Sequence, residues 1–382
     1  MPTVAPFDLE GHCLYARFIG GIPFFAMADG AVHRLDDGHQ TSTVHDGLLS
    51  AAMAVDGKSL VTGGEDGRVC RIDAKGVVTE LANIPRKWIT AVATGPNGTV
   101  GFASGKTAWS RAADGKVQEF TQERSVEGIA FAPKGQRLAI ARYNGATLIW
   151  AGTAAKPVEL EWKGAHIGIT FSPDGRFLIT SMQENALHGW RLEDNKHMRM
   201  TGYPAKVKDW SWSAKAKWLA TSGAPAAIVW PFAGKDGPMG KAPLELGLRG
   251  DSMVTSVACH PGEDIAAIGY NDGMILIVRF ADQKEVLLRR PGKGAITSMA
   301  WDEDGYRLVF GSQAGDCGVV PLGQWGSGAV GQWGSGAVGQ WGSEEYGRCA
   351  HAQPKHTPLL PYSPIPLTYC LTALTPPSPR LH

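Results

Sequence analysis

Few residues in this chain have types and spacing suited to chemistry. Cys349, His351 and His356 lie in CAHAQPKH, a spacing that in principle wraps a zinc ion. It is a single run inside a Pro-rich stretch, so no metal site is assigned to it. Arg17, Glu127, Lys208, Asp209 and Asp302 are the charged members of short apolar runs that recur along the chain. No pair among them has a spacing that points to general acid–base work or a ring of ligands. GxSxG, HExxH, a glycine loop ending in GK[ST] and GxGxxG after a strand are all missing from the sequence. No catalytic residue, cofactor or metal is therefore expected.

The elements that would position such residues are strands. Glycine occurs 49 times among 382 residues, and short β-branched runs alternate with Gly, Asp, Asn and Pro. The phrase FSPDGRFLIT (171–180) has counterparts in FAPKGQRLAI (131–140) and WDEDGYRLVF (301–310). Laid over itself, the chain gives eight copies of one unit of roughly forty residues. First strands start near LYARFI, LSAAMAV, ITAVATG, VEGIAFA, IGITFS, KDWSWS, VTSVACH and ITSMAWD. A polar bend leads to a second strand, and a tight turn leads to a third. The turns Asp29-Gly30, Asp66-Gly67, Asn144-Gly145 and Asp272-Gly273 suit the positive φ of a two-residue hairpin. Trp150, Trp190 and Trp230 end third strands at a repeated position, which predicts packing between sheets rather than ligand binding. A fourth, more polar strand closes most units. Four antiparallel strands per unit of this length predict an all-β propeller of eight blades, with seven the alternative.

Over residues 1–322 the chain resembles the WD40 β-propeller family, by period and turn chemistry more than by signature letters. In that family a His before the first strand, a Ser or Thr in the second, an Asp in the tight turn and a Trp in the third form a buried hydrogen-bonded set. The resemblance places His166, Thr180 or Ser181, Asn185 (in place of Asp) and Trp190 in those roles. Other units keep fragments: His12 with Asp29, or Asp66 alone, and Asp272 occupies the same turn position. The Trp-Asp dipeptide is missing, since Trp150 precedes Ala, Trp190 precedes Arg and Trp230 precedes Pro. The last unit lacks a fourth strand, and TVAPFDLEGHCLYARF (3–18) aligns with AKPVELEWKGAHIGITF (155–171). The N-terminal strand is therefore expected to complete the final blade and cover its edge.

Beyond Leu322 the text changes. Residues 323–343 repeat GQWGSGAV, and 344–382 are Pro-rich without strand alternation, so disorder is expected there. The apolar fraction is 43%, the charged fraction 19% and the net charge +1. That balance gives no field to gather nucleic acid or an acidic membrane. No run approaches the length of a spanning helix and no secretory signal is seen, which points to the cytoplasm. The six cysteines form no CxxC pair and read as free, mostly buried thiols.

What remains is a surface. Loops joining fourth to first strands share a face with the turns between second and third strands. Arg86, Lys87, Trp88, Arg124, Tyr143, Lys206, Arg249, Tyr270 and Arg290 fall on that rim, mixing aromatics with cations as protein-binding surfaces do. The expected function is a non-catalytic scaffold that presents a rigid loop face to a protein or peptide. The alternatives are a hydrolase or lactonase-type propeller with an axial site, or a structural subunit of a larger complex.

Overall fold

Strands form where apolar residues alternate, and many of the bends between them fall at a left-handed residue. In the computed structural model, residues 5–322 are described. The expectations for 323–343 and 344–382, including Cys349, His351 and His356, lie outside the described residues. The bends after first strands turn on Gly57, Gly98, Gly135, Gly175 and Gly305, all with φ between 68° and 76°. At the tight turns the acid side chain does the local work. Asp29 Oδ1 accepts from Ala31 N (2.9 Å), Asp66 Oδ1 from Arg68 N (3.0 Å) and Asp272 Oδ1 from Met274 N (2.9 Å). The following glycine is obligatory at Gly30, where φ is 95° and a Cβ would stand 2.0 Å from the His45 carbonyl oxygen.

Among the described residues, hydrogen bonding divides the strands into seven sheets, not the eight separate blades expected. Six sheets have four antiparallel strands and one has six. The reason lies in two strands of fourteen residues each, Arg137–Trp150 and Val158–Phe171. Residues 138–141 of the first pair with Gly128–Phe131, while 145–148 pair with 158–161 of the second. The second then continues, with a register shift after His166, to pair with Phe177–Met182. Backbone pairing thus runs unbroken across two of the repeated units.

Each sheet is buried on both faces against its neighbours, so the second strands are almost wholly enclosed, as in Ser59–Gly64, Phe177–Met182 and Ile265–Tyr270. Innermost strands are tied across sheets by side chains that accept from the next strand's backbone. Ser50 Oγ accepts from Val92 N (2.9 Å), Ser211 Oγ from Cys259 N (2.9 Å) and Ser298 Oγ from Ala16 N (3.0 Å). These bonds repair the N–H groups that a sheet edge would otherwise leave unpaired. The last of them joins residues far apart in sequence. At the same seam Ala5–Asp8 pairs antiparallel with Asp316–Pro321, Ala5 opposite Val319 and Asp8 opposite Asp316. The chain's first strand completes its last sheet as the sequence predicts.

Candidate interaction face

The rim is built by loops that lean on the tight turns beneath them. In residues 84–89, Ile84 N donates to Gly67 O (2.9 Å), Lys87 N to Ile84 O (3.2 Å) and Ile89 N to Gly64 O (3.0 Å). Arg86 holds the loop's left-handed corner at φ 62°. These bonds fix Arg86, Lys87 and Trp88 outward, and Trp88 keeps 58% of its surface exposed while Ile89 next to it is fully buried. In the adjacent loop, Val126 N donates to Gly105 O (2.8 Å) and Gln122 N to Lys106 O (2.8 Å). Arg124 stands over the exposed Tyr143 ring at 5.9 Å, so two sequence-chosen residues from different units meet.

Other rim candidates are less free. Arg249 is held by Glu285 (2.6 Å) and Lys206 is half-buried. Arg290 is exposed. Tyr270 is not on the rim. It is fully buried, its hydroxyl donates to Gly247 O, and burial pushes that hydroxyl well above its ordinary pKa. The sequence placed it in a turn, but the strand Ile265–Tyr270 carries its side chain into the core between two units.

The polar set inside the units is partly as expected. His166 is fully buried, with Nδ1 2.6 Å from Thr180 Oγ1 and Nε2 3.0 Å from Trp162 O. Thr180 passes the chain on to His188 O (3.2 Å). Trp190 and Trp230 are core, and Trp150 packs half-buried against the same core with Arg137 6.0 Å over its ring. Asn185 does not take the Asp role. At φ 52° its amide turns away and donates to Pro204 O (3.2 Å). Asp272 caps its own turn and also accepts from Ser252 Oγ (3.2 Å).

The His, Thr and Asp of that set are joined in another unit, and two of the three are residues the sequence reading passed over. His45 Nδ1 is 3.0 Å from Asp66 Oδ1, His45 Nε2 is 2.8 Å from Thr62 Oγ1, and Thr62 donates to Cys70 O (3.4 Å). Burial lowers the His45 pKa, and the Asp66 carboxylate opposes that shift. The signal was present, because His45 stands shortly before LLSAAM as His166 stands directly before IGITFS. Ile72, paired with Leu60 as Trp190 is with Leu178, stands at the Trp position and concealed it. A third variant puts a tyrosine in the His role: Tyr203 Oη bonds Thr221 Oγ1 (2.7 Å) and accepts from Trp230 Nε1 (2.7 Å).

The axial positions offer little chemistry. A cavity of about 300 Å³ is lined by Tyr15, Ala51, Val92, Ile129 and Phe171, which are mainly apolar. Arg17 Nη1 donates to Ala16 O (2.7 Å), Ser298 Oγ (2.8 Å) and Met299 O (3.2 Å). Asp209 is raised in pKa by burial, against the pull of Val257 N and Ser256 Oγ, which it accepts at 2.9 and 2.8 Å. Asp302 caps a bend by accepting from Tyr306 N and Arg307 N. Each of these three is occupied in holding backbone. Among the described residues no three His, Cys, Asp or Glu side chains converge as a metal site would require.

Solved structures with this fold include one of WD40 repeats. A chain in the crystal structure of the mitotic checkpoint complex matches with a TM-score of 0.56 and 14% identity, covering 70% of this chain and 88% of its own. The crystal structure of RRP9 WD40 repeats matches at 0.53 and 15%, covering 72% and 94%. No protein-family model and no curated protein matches the sequence. At such identities the likeness carries the fold alone.

Proposed function

Given a chain with the WD40 β-propeller fold, we propose that it is a non-catalytic platform that binds a protein or peptide across the rim formed by residues 84–89, Arg124 and Tyr143. One observation carries this reading: Trp88 is exposed between Arg86 and Lys87 on a loop whose backbone is already hydrogen-bonded in place. A large aromatic and two cations held still lose little entropy when a partner arrives. The surface suits a segment that mixes acidic and apolar residues. That one of the matching structures is a complex agrees with a protein partner. The triple variant R86A/K87A/W88A tests the reading. Affinity capture followed by mass spectrometry should show a specific partner depleted roughly tenfold relative to the native chain, the scale of losing one hot spot. The melting temperature should not change. Equal capture by the variant removes this rim from the function.

We further propose that the six-stranded sheet works as two blades, giving eight units around the axis. Asn144 (φ 65°) and Gly145 (φ 137°) support this, because paired left-handed residues reverse a chain within what is otherwise one strand. An experimental structure with seven inner strands about the axis would refute it. Operation in the cytoplasm remains part of the proposal on the composition described above.

A further inference from the structure

The ring is closed by non-covalent bonds at one seam, and two buried thiols face each other there. Cys13 opens the innermost strand Cys13–Ile19 of the first sheet, and Cys317 lies in Asp316–Pro321 of the last. Both are free and fully buried. Between them is Gly311, whose missing side chain makes the space. A Cβ built on Gly311 would be 2.3 Å from Cys13 Sγ and 3.6 Å from Cys317 Sγ, so both sulfurs crowd a single point. Cys13 Sγ donates to the Tyr15 carbonyl at 3.6 Å, and the neighbouring Cys317 thiol raises its pKa. Cys259 Sγ also meets a carbonyl, that of Ser211 at 3.3 Å, but no second thiol acts on it.

We propose that Cys13 and Cys317 form a latent disulfide site that locks the propeller seam covalently under oxidation. The seam is the place where this bond would matter most. It would join strands whose present ties are the Ala5–Asp8 pairing, the Ala16–Ser298 bond and a bond from Thr297 Oγ1 to Cys13 O (2.5 Å). Closing a loop of this length removes more freedom from the unfolded chain than a short staple does.

The chemistry is thiol–disulfide exchange with a small disulfide such as oxidised glutathione. The neighbouring Cys317 and burial raise the Cys13 pKa, so the reaction waits on opening of the seam to solvent. One sulfur, deprotonated there, forms a mixed disulfide and expels one glutathione thiolate. The other, losing its proton to solvent, displaces the second. Two protein thiols are oxidised by two electrons, and one glutathione disulfide becomes two glutathione thiols. Enclosure of both sulfurs makes the reaction slow, since it proceeds through brief lifting of Ala5–Asp8.

The full chain carrying C349S and C370S, equilibrated with oxidised glutathione, alkylated and digested without reduction, provides the test. The expected result is a peptide pair linked through Cys13 and Cys317, with two hydrogens lost. The melting temperature should rise by several degrees and return on adding dithiothreitol. C13S and C317S should each abolish both effects. Cys13 and Cys317 recovered as separately alkylated or glutathionylated residues at equilibrium, or bonded to Cys70 or Cys259, would overturn the proposal. So would a linked product with no change in melting temperature, because a seam lock must resist unfolding.

Discussion

Two units of this ring carry the same buried apparatus and complete it differently. In one, His45 bridges Thr62 and Asp66, so an acid stabilises the imidazole and each ring nitrogen has a side-chain partner. In the other, His166 reaches Thr180 and then a backbone carbonyl, with Asn185 turned away. Beside it sits His188, fully buried and stacked 4.1 Å from Trp162, and neither of its ring nitrogens meets a partner among the described residues. Burial drives its pKa down to about 3, with His166, His197 and Arg199 adding to the shift. The first unit is held by polar bonds, the second by stacked rings at the cost of an orphaned imidazole. A propeller unit therefore needs a filled interior more than it needs any one hydrogen-bonded set.

The largest separation between the two units should come with acid. His188 is neutral in the fold and takes a proton once unfolded, so its contribution is complete above the ordinary histidine pKa near 6.5. It is lost as pH falls from there toward 3. By pH 4 the loss is on the order of 3 kcal/mol for this one group. Urea unfolding from pH 7 to 4 should show it, and H188F should remove about one proton's worth of the slope. An unchanged slope in H188F would mean that another group carries the acid sensitivity.

Next in size, D66A leaves a buried His45 nitrogen and the Arg68 amide without their acceptor, costing about 2 kcal/mol at pH 7. At neutral pH, H188F should be stabilising by about 1 kcal/mol, because an unpaired polar ring is replaced by an apolar one that still stacks on Trp162. The smallest effect belongs to N185D. If the His166 unit merely lacked an acid, this change would restore the bond. With both His166 nitrogens engaged it should shift stability by no more than about 0.5 kcal/mol, the scale of an exposed substitution. A clear gain in chemical denaturation would show that the two units differ by one residue only.

Much of this was legible in the sequence, for a physical reason. Turn residues and strand periodicity are local, so the Asp-Gly turns, the repeated Trp positions and the pairing of Ala5–Asp8 with the last sheet could all be read from short phrases. Side-chain direction was less accessible. Tyr270 ends a strand next to a turn, and whether it points to solvent or core depends on the Gly247 carbonyl, reached through tertiary packing. The sheet count failed similarly, since continuity between Arg137–Trp150 and Val158–Phe171 depends on how two neighbouring units hydrogen-bond. His45 escaped notice because Ile72 stands where a Trp would have flagged its unit. For the rim, the letters located Trp88 and the Arg124–Tyr143 contact but not which cations were already paired.

Pairing of Ala5–Asp8 with Asp316–Pro321 also has a consequence for how the molecule is made. A ribosome adds roughly 5–20 residues per second, so the earliest strand emerges roughly 15–60 s before its mate exists. During that interval the nascent chain bears an open sheet edge at each end of a growing arc, and a holdase or a second nascent copy can reach either one.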